Sequence, residues 1–422
     1  MTYQEAIQYL YDLRQYGTKL GLDQPRRLAA LAGRPQAGLG IIHVAGTNGK
    51  GSTCAMLESI FRQGDYRVGL FTSPHLISFR ERIQINRRFI SEREVSVSVA
   101  RIRGWLAQFS GPSHPTFFEV ITVMALCYFA DRNCDLVILE TGLGGRLDAT
   151  NFVTPLVSVI THVALDHQAW LGDSLAQIAF EKAGIIKPGR PVVIAKAVSE
   201  VKAVLLAEAR RRQSPLHMVS AADLTAPPLD RIRLPLAGDH QRWNAALAVK
   251  TARVIDRQYP VSDTALMRGL ERVQWPGRFQ LIRIGGRLIV LDGAHNPHAA
   301  RALRRAFESQ FPGVKPVIIL GLLADKNWQT ICHILVPLAG RIYTVPVHSR
   351  RTANPQFVAE WCREIKPKRE VTACSDLSEA LALASDDTMM LICGSLFLAG
   401  EAVEKLAPES VSGLDERHLN EL

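Results

Sequence analysis

HVAGTNGKGST, residues 43–53, has the ingredients of a phosphate-binding loop at an unusual spacing. The common P-loop sets four residues between its first glycine and the Gly-Lys pair, followed at once by Ser or Thr. Here only Thr47 and Asn48 separate Gly46 from Gly49 and Lys50, and Gly51 stands between Lys50 and Ser52. The context still suits phosphate: the apolar run GIIHVA (40–45) precedes the loop and the helix-forming run STCAMLESIF (52–61) follows it. Glycines let backbone N–H groups turn toward phosphate oxygens, and a helix start adds partial positive charge. Lys50 is then placed for the β- and γ-phosphates and Ser52 for Mg²⁺. A glycine-rich strand-to-helix turn with a solvated lysine is the plainer alternative; glycines, a lysine and a hydroxyl in this context weigh against it.

Outward from the loop, short apolar runs alternate with helical patterns. RVGLFT (67–72), DLVILE (135–140), LVSVIT (156–161) and PVVIA (191–195) read as strands, with amphipathic stretches at 51–63, 117–131 and 174–183. Continuously apolar strands separated by helices predict a mainly parallel sheet covered on both faces. VQWPGRFQ (273–280) interrupts with a Pro-Gly turn signal. Alternation then restarts in RLIVLD (287–292), PVIILG (316–321), RIYTVP (341–346), REVTAC (369–374) and TMMLICG (388–394). The expected fold is α/β: a P-loop-type, mainly parallel sheet domain over 1–274, a linker at 275–280, and a smaller Rossmann-like α/β domain over 281–408. A ligand is expected in the cleft between them. Residues 409–422 lack an apolar face and read as a flexible tail.

The 422-residue chain is 47% hydrophobic and 21% charged, ordinary for a soluble globular protein. No apolar run reaches the roughly 18 residues a bilayer span needs. The N-terminus MTYQEAIQYLYDLRQY lacks the basic start and apolar core of a secretory signal. Its Thr2 and Glu5 instead have the spacing of a helix capping box. A cytoplasmic protein with no membrane partner is expected. Seven scattered cysteines without Cys-x-x-Cys spacing argue against a disulfide framework or a zinc site. The net charge of +10 is dispersed, and its one tight run, ARRR (209–212), reads as a solvated helix face rather than a nucleic-acid site. The positive balance also suits polyanionic ligands.

LETGLGGRLDATN (139–151) ends an apolar strand with Glu140 beside a glycine loop. Carboxylates at the carboxyl edge of an α/β sheet serve Mg²⁺; a loop-bonding Glu is the alternative. Gly142 and Gly144 suggest a dinucleotide fingerprint, but Leu147 occupies its third glycine position, so no nicotinamide cofactor is expected. The segment 160–189 carries His162, Asp166, His167 and Lys182. Alone, His167 reads as a hydrogen-bonded loop residue and Lys182 as a surface helix lysine.

In order along the chain, HVAGTNGKGST, FTSPHL, ETGLGGRLDATN, LDH…LG…IAFEKAGIIKPG, WPGRF, LDGAHNP and CGSL resemble the motifs of folylpolyglutamate synthases and dihydrofolate synthases, relatives of the Mur ligases. The resemblance spans residues 17–400 and makes the short loop that superfamily's own phosphate loop. It implies an ATP- and Mg²⁺-dependent ligase that adds L-glutamate to dihydropteroate and to tetrahydrofolate and its polyglutamates, through an acyl phosphate.

Motif by motif, the resemblance implies that Asn48, Gly49, Lys50, Gly51 and Ser52 hold the ATP phosphates, with Asn244, Arg278 and Asp292 as further nucleotide contacts. Ser52, Ser73, Glu140 and His167 form the implied Mg²⁺ sites. Lys182 matches a lysine carbamylated in the family; Lys50, Lys182 and His295 are the implied catalytic groups. His295 and Ser395 match glutamate-binding positions. The acceptor is implied at Leu20 and Gly21, at Thr116, Phe117, Phe118 and Glu119, and at Leu147, Asp148 and Ala149. Phe117 and Phe118 offer flat apolar surface to a pterin or aminobenzoyl ring, with core packing as the alternative for one of them. His75 resembles the bifunctional bacterial form, or is a loop residue with no bearing on the acceptor. His162, Ala164 and Asn327 depart from the usual pattern, where Asn, Gly and Asp are common. A monofunctional folylpolyglutamate synthase, a Mur-type ligase of peptidoglycan precursors and a nucleotide-gated binding protein are the competing readings. About forty residues precede the loop, too few for the extra nucleotide-sugar domain of the Mur enzymes. A monomer is expected.

Overall fold

The apolar run before the glycine loop becomes β1 (Gly40–Ala45), buried from Ile41 onward. In the computed structural model, which describes residues 1–407, it sits inside an eight-stranded sheet. The other strands are β2 (Val68–Phe71), β3 (Ile83–Ile85), β4 (Arg88–Phe89), β5 (Leu136–Glu140), β6 (Val157–Ile160), β7 (Val192–Ile194) and β8 (Leu216–Met218), in the order β4-β3-β2-β5-β1-β6-β7-β8. β1 runs parallel to β5 on one side and to β6 on the other, so all three strands end at the same edge. Ligands of open α/β sheets bind at that carboxyl edge. β3 and β4 form an antiparallel edge hairpin whose turn residues, Asn86 and Arg87, both take positive φ. Paired left-handed residues suit the twist of a tight hairpin.

The second sheet contains β9 (Gln280–Ile284), β10 (Arg287–Asp292), β11 (Val317–Leu320), β12 (Arg341–Thr344), β13 (Glu370–Ala373) and β14 (Met389–Cys393), in the order β13-β12-β11-β14-β10-β9. Only β9 pairs antiparallel. The two parallel-dominated sheets with helices between strands are the expected α/β architecture, and every expected strand forms, 40–45 and 287–292 at full length and the others trimmed at one or both ends. The chain passes between the sheets in residues 272–279, after the helix Asp263–Glu271. Position 408 and the expected tail, 409–422, lie outside the described residues.

The first helix, Tyr3–Asp12, carries the capping box of Thr2 and Glu5 that the spacing predicted. All seven cysteines are buried and free of disulfides. Among the described residues no helix is long and apolar enough to cross a membrane. The helix that follows the glycine loop, Lys50–Gln63, is buried from Ser52 to Phe61. It packs against the helices Asp239–Val254 and Asp263–Glu271.

That second contact is close. A Cβ on Gly269 would lie 2.5 Å from Ile60 Cα and 2.7 Å from Ile60 N. Gly269→Ala is therefore expected to push the helices apart and cost about 1–3 kcal/mol. The readout is a lower denaturant midpoint at an unchanged slope; an unshifted midpoint would contradict the packing.

Candidate active site

Gly46 follows β1 with a φ of +154°, and a Cβ there would lie 1.7 Å from Thr161 Oγ1, so no larger residue fits. The amides of Thr47 and Asn48 donate to the His162 carbonyl at 2.8 and 3.2 Å. The loop is thus pinned to the end of β6 before Gly49, left-handed at φ +90°, starts the helix at Lys50. The first-turn amides of a helix have no partners within it and attract anions. Residues 46–52 line the cavity at this point. The Asn48 side-chain nitrogen bonds His298 Nδ1 at 3.0 Å, and its amide, like that of Thr47, donates to His162.

Lys50 curls back, Nζ donating to the Gly46 carbonyl at 3.1 Å and to the Thr47 carbonyl at 3.4 Å. Lys182, on the helix Leu175–Ala183, is 3% exposed and donates to the same Gly46 oxygen at 2.9 Å. It is not the surface lysine of the plainer reading. Burial, with the Lys50 charge beside it, pushes its pKa down to about 7.

Glu140 ends β5 with 3% exposure, and its carboxylate accepts the Ser73 amide at 3.2 Å. Burial pushes its pKa up to about 7, against the pull of Lys50, Arg278 and Arg82. Ser52 Oγ accepts from Gln241 Nε2 at 3.3 Å, and Gln241 in turn accepts from Asn244 at 3.0 Å. Asn244 abuts the loop: a Cβ on Gly49 would meet its Oδ1 at 2.5 Å. A buried carboxylate flanked by serines is an oxygen donor set that fits Mg²⁺, which keeps waters and takes phosphate oxygens for the rest. Among the described residues no three His, Cys, Asp or Glu side chains gather into a metal cluster. His167 lines the same cavity, at positive φ, with Nε2 3.3 Å from Lys326 Nζ. Burial lowers its pKa to about 4, so the ring is neutral and has a lone pair to offer.

From the second sheet, the Asp292 carboxylate accepts the amides of Phe279 and Ala294, both at 2.8 Å, tying the inter-sheet segment to the loop after β10. Arg278 lies beside it. His295 Nδ1 is 2.9 Å from the Gly293 carbonyl, and its Nε2 is 3.8 Å from Asp166. Asp166, which the sequence reading left without a role, gathers the second sheet onto the first. It accepts from Lys326 Nζ at 2.7 Å and from Asn296 Nδ2 at 3.1 Å. Burial works against its ionised form, yet His295, Lys326 and His167 hold its carboxyl well below the usual range. His162 stacks on His298 at 4.0 Å, and Asn327 caps the helix Trp328–Leu335, so the departures at 162 and 327 have local roles. Ser395 does not reach the cavity. It is fully buried and caps the helix Leu396–Leu406, accepting the Leu398 amide at 3.1 Å; Leu396 and Phe397 form the cavity wall there.

At the other end, Thr116 and Glu119 bond each other's backbone as a capping box for the helix Phe117–Asp131. Phe118 lies against Gly142, where a Cβ would meet the ring at 2.6 Å. Asp148 accepts the amides of Leu143 at 2.7 Å and Thr150 at 3.0 Å. Gly21 donates to the Leu147 carbonyl at 3.3 Å, which brings Leu20 alongside residues 147–149. One cavity of 1450 Å³ is lined by every expected site residue except Gly21 and Ser395, and also by Arg82, Asp166, Lys326 and His298.

Two family models match the chain: the Mur ligase middle domain over residues 44–227 and the Mur ligase glutamate ligase domain over 277–396. The chain is 34% identical to the dihydrofolate synthase/folylpolyglutamate synthase of Bacillus subtilis, across 96% of this chain and 99% of that one. A Mycobacterium tuberculosis folylpolyglutamate synthase solved with ADP and AMPPCP superposes with a TM-score of 0.88 at 31% identity, covering 96% of this chain and 99% of that one. Escherichia coli FolC, solved with DHPP and ADP, gives a TM-score of 0.85 at 29% identity over 97% and 99%.

Glu140 sets a pH dependence on the free protein. Well below its ordinary value of 4.5 the carboxyl is neutral in both folded and unfolded chains. Between there and about 7 the unfolded chain ionises while the folded chain keeps its proton, so stability falls as pH rises and levels off above. Glu140→Gln removes that penalty. Without metal or nucleotide it is expected to be about 1–3 kcal/mol more stable than the parent near pH ~8, and equal near pH ~3.5. Denaturant midpoints at the two pH values check this; a variant less stable at both would contradict it.

Proposed function

This chain belongs to the dihydrofolate synthase/folylpolyglutamate synthase family of Mur ligases, and we propose that it joins L-glutamate to both dihydropteroate and reduced folates through an acyl phosphate. As a member of that family it is an ATP-dependent ligase. The observation that supports the finer reading is the continuity of the cavity. The glycine loop, Lys50, Lys182 and Glu140 line the same cavity as Phe117, Phe118 and residues 147–149. An acceptor with a flat ring at one end and a carboxylate at the other can use both sets at once, with its carboxylate at the phosphates.

In this reading an acceptor carboxylate oxygen attacks the γ-phosphorus of ATP, the bond to the β-phosphate oxygen breaks, and ADP leaves. The nitrogen of glutamate then attacks the acyl carbon, phosphate departs, and the nitrogen gives up a proton. Lys50 and the first-turn amides at Gly49, Gly51 and Ser52 offset the charge on the transferred group. Glu140, Ser52, Ser73 and His167 are the residues that would hold Mg²⁺, which would offer positive charge to the phosphate oxygens. Asn244, Arg278 and Asp292 shape the nucleotide's side of the cavity. His295, which lines the cavity, is assigned to glutamate, with Ser395 supporting the wall that Leu396 and Phe397 form. The division into 1–274, a linker at 275–280 and a glutamate-ligase part from 281 follows the same roles. All these groups come from one chain, so a monomer suffices.

Lys182 fits carbamylation, because an amine with a pKa near 7 is substantially uncharged and can take up CO₂. The carbamate exchanges a cation that repels Lys50 for an anion that attracts it.

Purified chain with ATP, Mg²⁺ and labelled glutamate, offered dihydropteroate and tetrahydrofolate in parallel, tests the function. Label is expected in both products, with one ADP per bond formed. Label on tetrahydrofolate alone would leave a folylpolyglutamate synthase; ADP release with no label in either would overturn the reading. Lys182→Ala is expected to lose on the order of 100-fold or more in kcat, with partial restoration by a short carboxylic acid. A ¹³C carbamate signal after incubation with labelled bicarbonate should appear in the parent and vanish in the variant. Full turnover of the parent without that signal would contradict the carbamate.

A further inference from the structure

We propose that Arg351 receives a carboxylate of the incoming amino acid and so helps to select it. The inference rests on the glutamate substrate proposed above. Glutamate is joined through its nitrogen and brings two carboxylates, yet the groups assigned to it so far hold no charge for them. Burial lowers the His295 pKa to about 4, which leaves its ring neutral at neutral pH. Ser395 does not line the cavity.

Arg351 stands where the second sheet presents its ligand edge. β10, β14, β11 and β12 are successive neighbours and run parallel, so the loops that follow them leave from one edge. The loops after β11 and β12 are joined there. The Ala324 amide donates to the Arg351 carbonyl at 2.7 Å and the Ala353 amide to the Leu322 carbonyl at 2.9 Å, around a bridge between Leu323 and Thr352. The Arg351 amide donates to Ser349 Oγ at 3.1 Å. The backbone under the arginine is therefore held firmly, and the residue lines the cavity with Leu323, Leu396 and Phe397.

The guanidinium has donors to spare. Its Cζ lies 6.0 Å from the centre of the Phe397 ring, and Nη1 donates to the Asp325 carboxylate at 3.1 Å. The side chains of that pair are 26% and 45% exposed, and an ion pair so open to water is weak. Asp325 thus orients the fork without cancelling its pull on a second anion. Nη2 bonds none of the described residues, and Nε is buried and donates to no partner among them. A buried N–H without an acceptor is costly. A carboxylate that accepts from Nη2, and from Nε as the side chain turns toward it, supplies both missing bonds in the paired geometry that suits a guanidinium.

Three other cations from this part of the chain line the cavity, and each is engaged elsewhere. Lys326 donates to Asp166 at 2.7 Å. The charge of Arg278 acts on Asp292, and the charge of Arg305, on the helix Pro297–Gln310, acts on His240 and His298. Of the four, only Arg351 keeps a buried donor without an acceptor. In a cavity poor in water its charge is worth more to a carboxylate than at the surface.

The experiment measures steady-state ligation with saturating ATP, Mg²⁺ and tetrahydrofolate, and compares L-glutamate with L-glutamine and L-isoglutamine. Glutamine lacks the side-chain charge and isoglutamine the α-carboxylate charge. ADP binding and thermal stability are followed on the same proteins. The parent is expected to prefer glutamate to at least one amide by on the order of 10- to 100-fold in kcat/KM. Arg351→Ala should raise the KM for glutamate and reduce that preference to about threefold or less, with ADP binding kept. The amide that gains ground identifies the carboxylate that Arg351 meets. Arg351→Gln, neutral and of similar length, is read the same way if the alanine variant does not fold. Arg351→Lys, which keeps the charge and loses the fork, should retain part of the preference. A parent that ligates glutamate no better than either amide, or Arg351→Ala and Arg351→Gln variants that keep both preferences, overturns this assignment alone. A parent that joins no glutamate overturns the proposed ligation and this inference with it.

Discussion

Two ammonium groups, Lys50 and Lys182, converge on one carbonyl oxygen, that of Gly46. Like charges this close repel strongly away from water, and much of the site can be understood as a response. The oxygen is available to both because Gly46 has no side chain and because the loop is pinned to the His162 carbonyl. The depressed pKa of Lys182 is one outcome. A second is that the lysine pair is left with unbalanced positive charge, which a triphosphate or the proposed carbamate would offset. Glu140 is the reverse case, a carboxylate buried until its proton is retained to about pH 7, which a cation would stabilise in its ionised form.

The second sheet meets this cluster through polar contacts, beside the apolar packing of Leu76 and Ile77 against it. Asn296 bonds both Asn48 and Asp166, and Lys326 reaches Asp166 with the pair almost fully buried, at 10% and 7% exposure. Buried ion pairs add little net stability, and their best-attested use is to fix a register. Here the register is that of the two sheets across the cavity. Contacts that can be remade suit the proposed ligation, in which three substrates enter and water is then excluded from an acyl phosphate.

The strand-loop-helix unit at residues 40–63 was legible because its pattern is local: a continuous apolar run, glycines, and a helix-forming run. The same holds for the strands of both sheets, whose apolar runs need no knowledge of partners. β3, β4, β8 and β9 were missed; β4, β8 and β9 are edge strands with charged or half-exposed residues, and β3 is three residues with a buried Gln84 at its centre, so none carries a long apolar run. Site residues carried by motifs reached the cavity, apart from Gly21 and Ser395, which support it from behind. Arg82 and Lys326 were not legible as site residues. Arg82 needs the fold to set it beside Phe117, and Lys326 finds Asp166 from 160 positions away. Thr116 and Glu119 show the opposite limit: their capping-box spacing was in the sequence, and the fold uses both polar groups for the helix start.

The central claim is that the cavity joins an acceptor carboxylate to the γ-phosphate before glutamate attacks. The most direct measurement follows oxygen: an acceptor labelled with ¹⁸O in its carboxylate is converted with ATP and glutamate, and the released phosphate is weighed by mass spectrometry. An acyl phosphate predicts one ¹⁸O in phosphate for each amide bond formed. Amide formation with unlabelled phosphate would contradict the account.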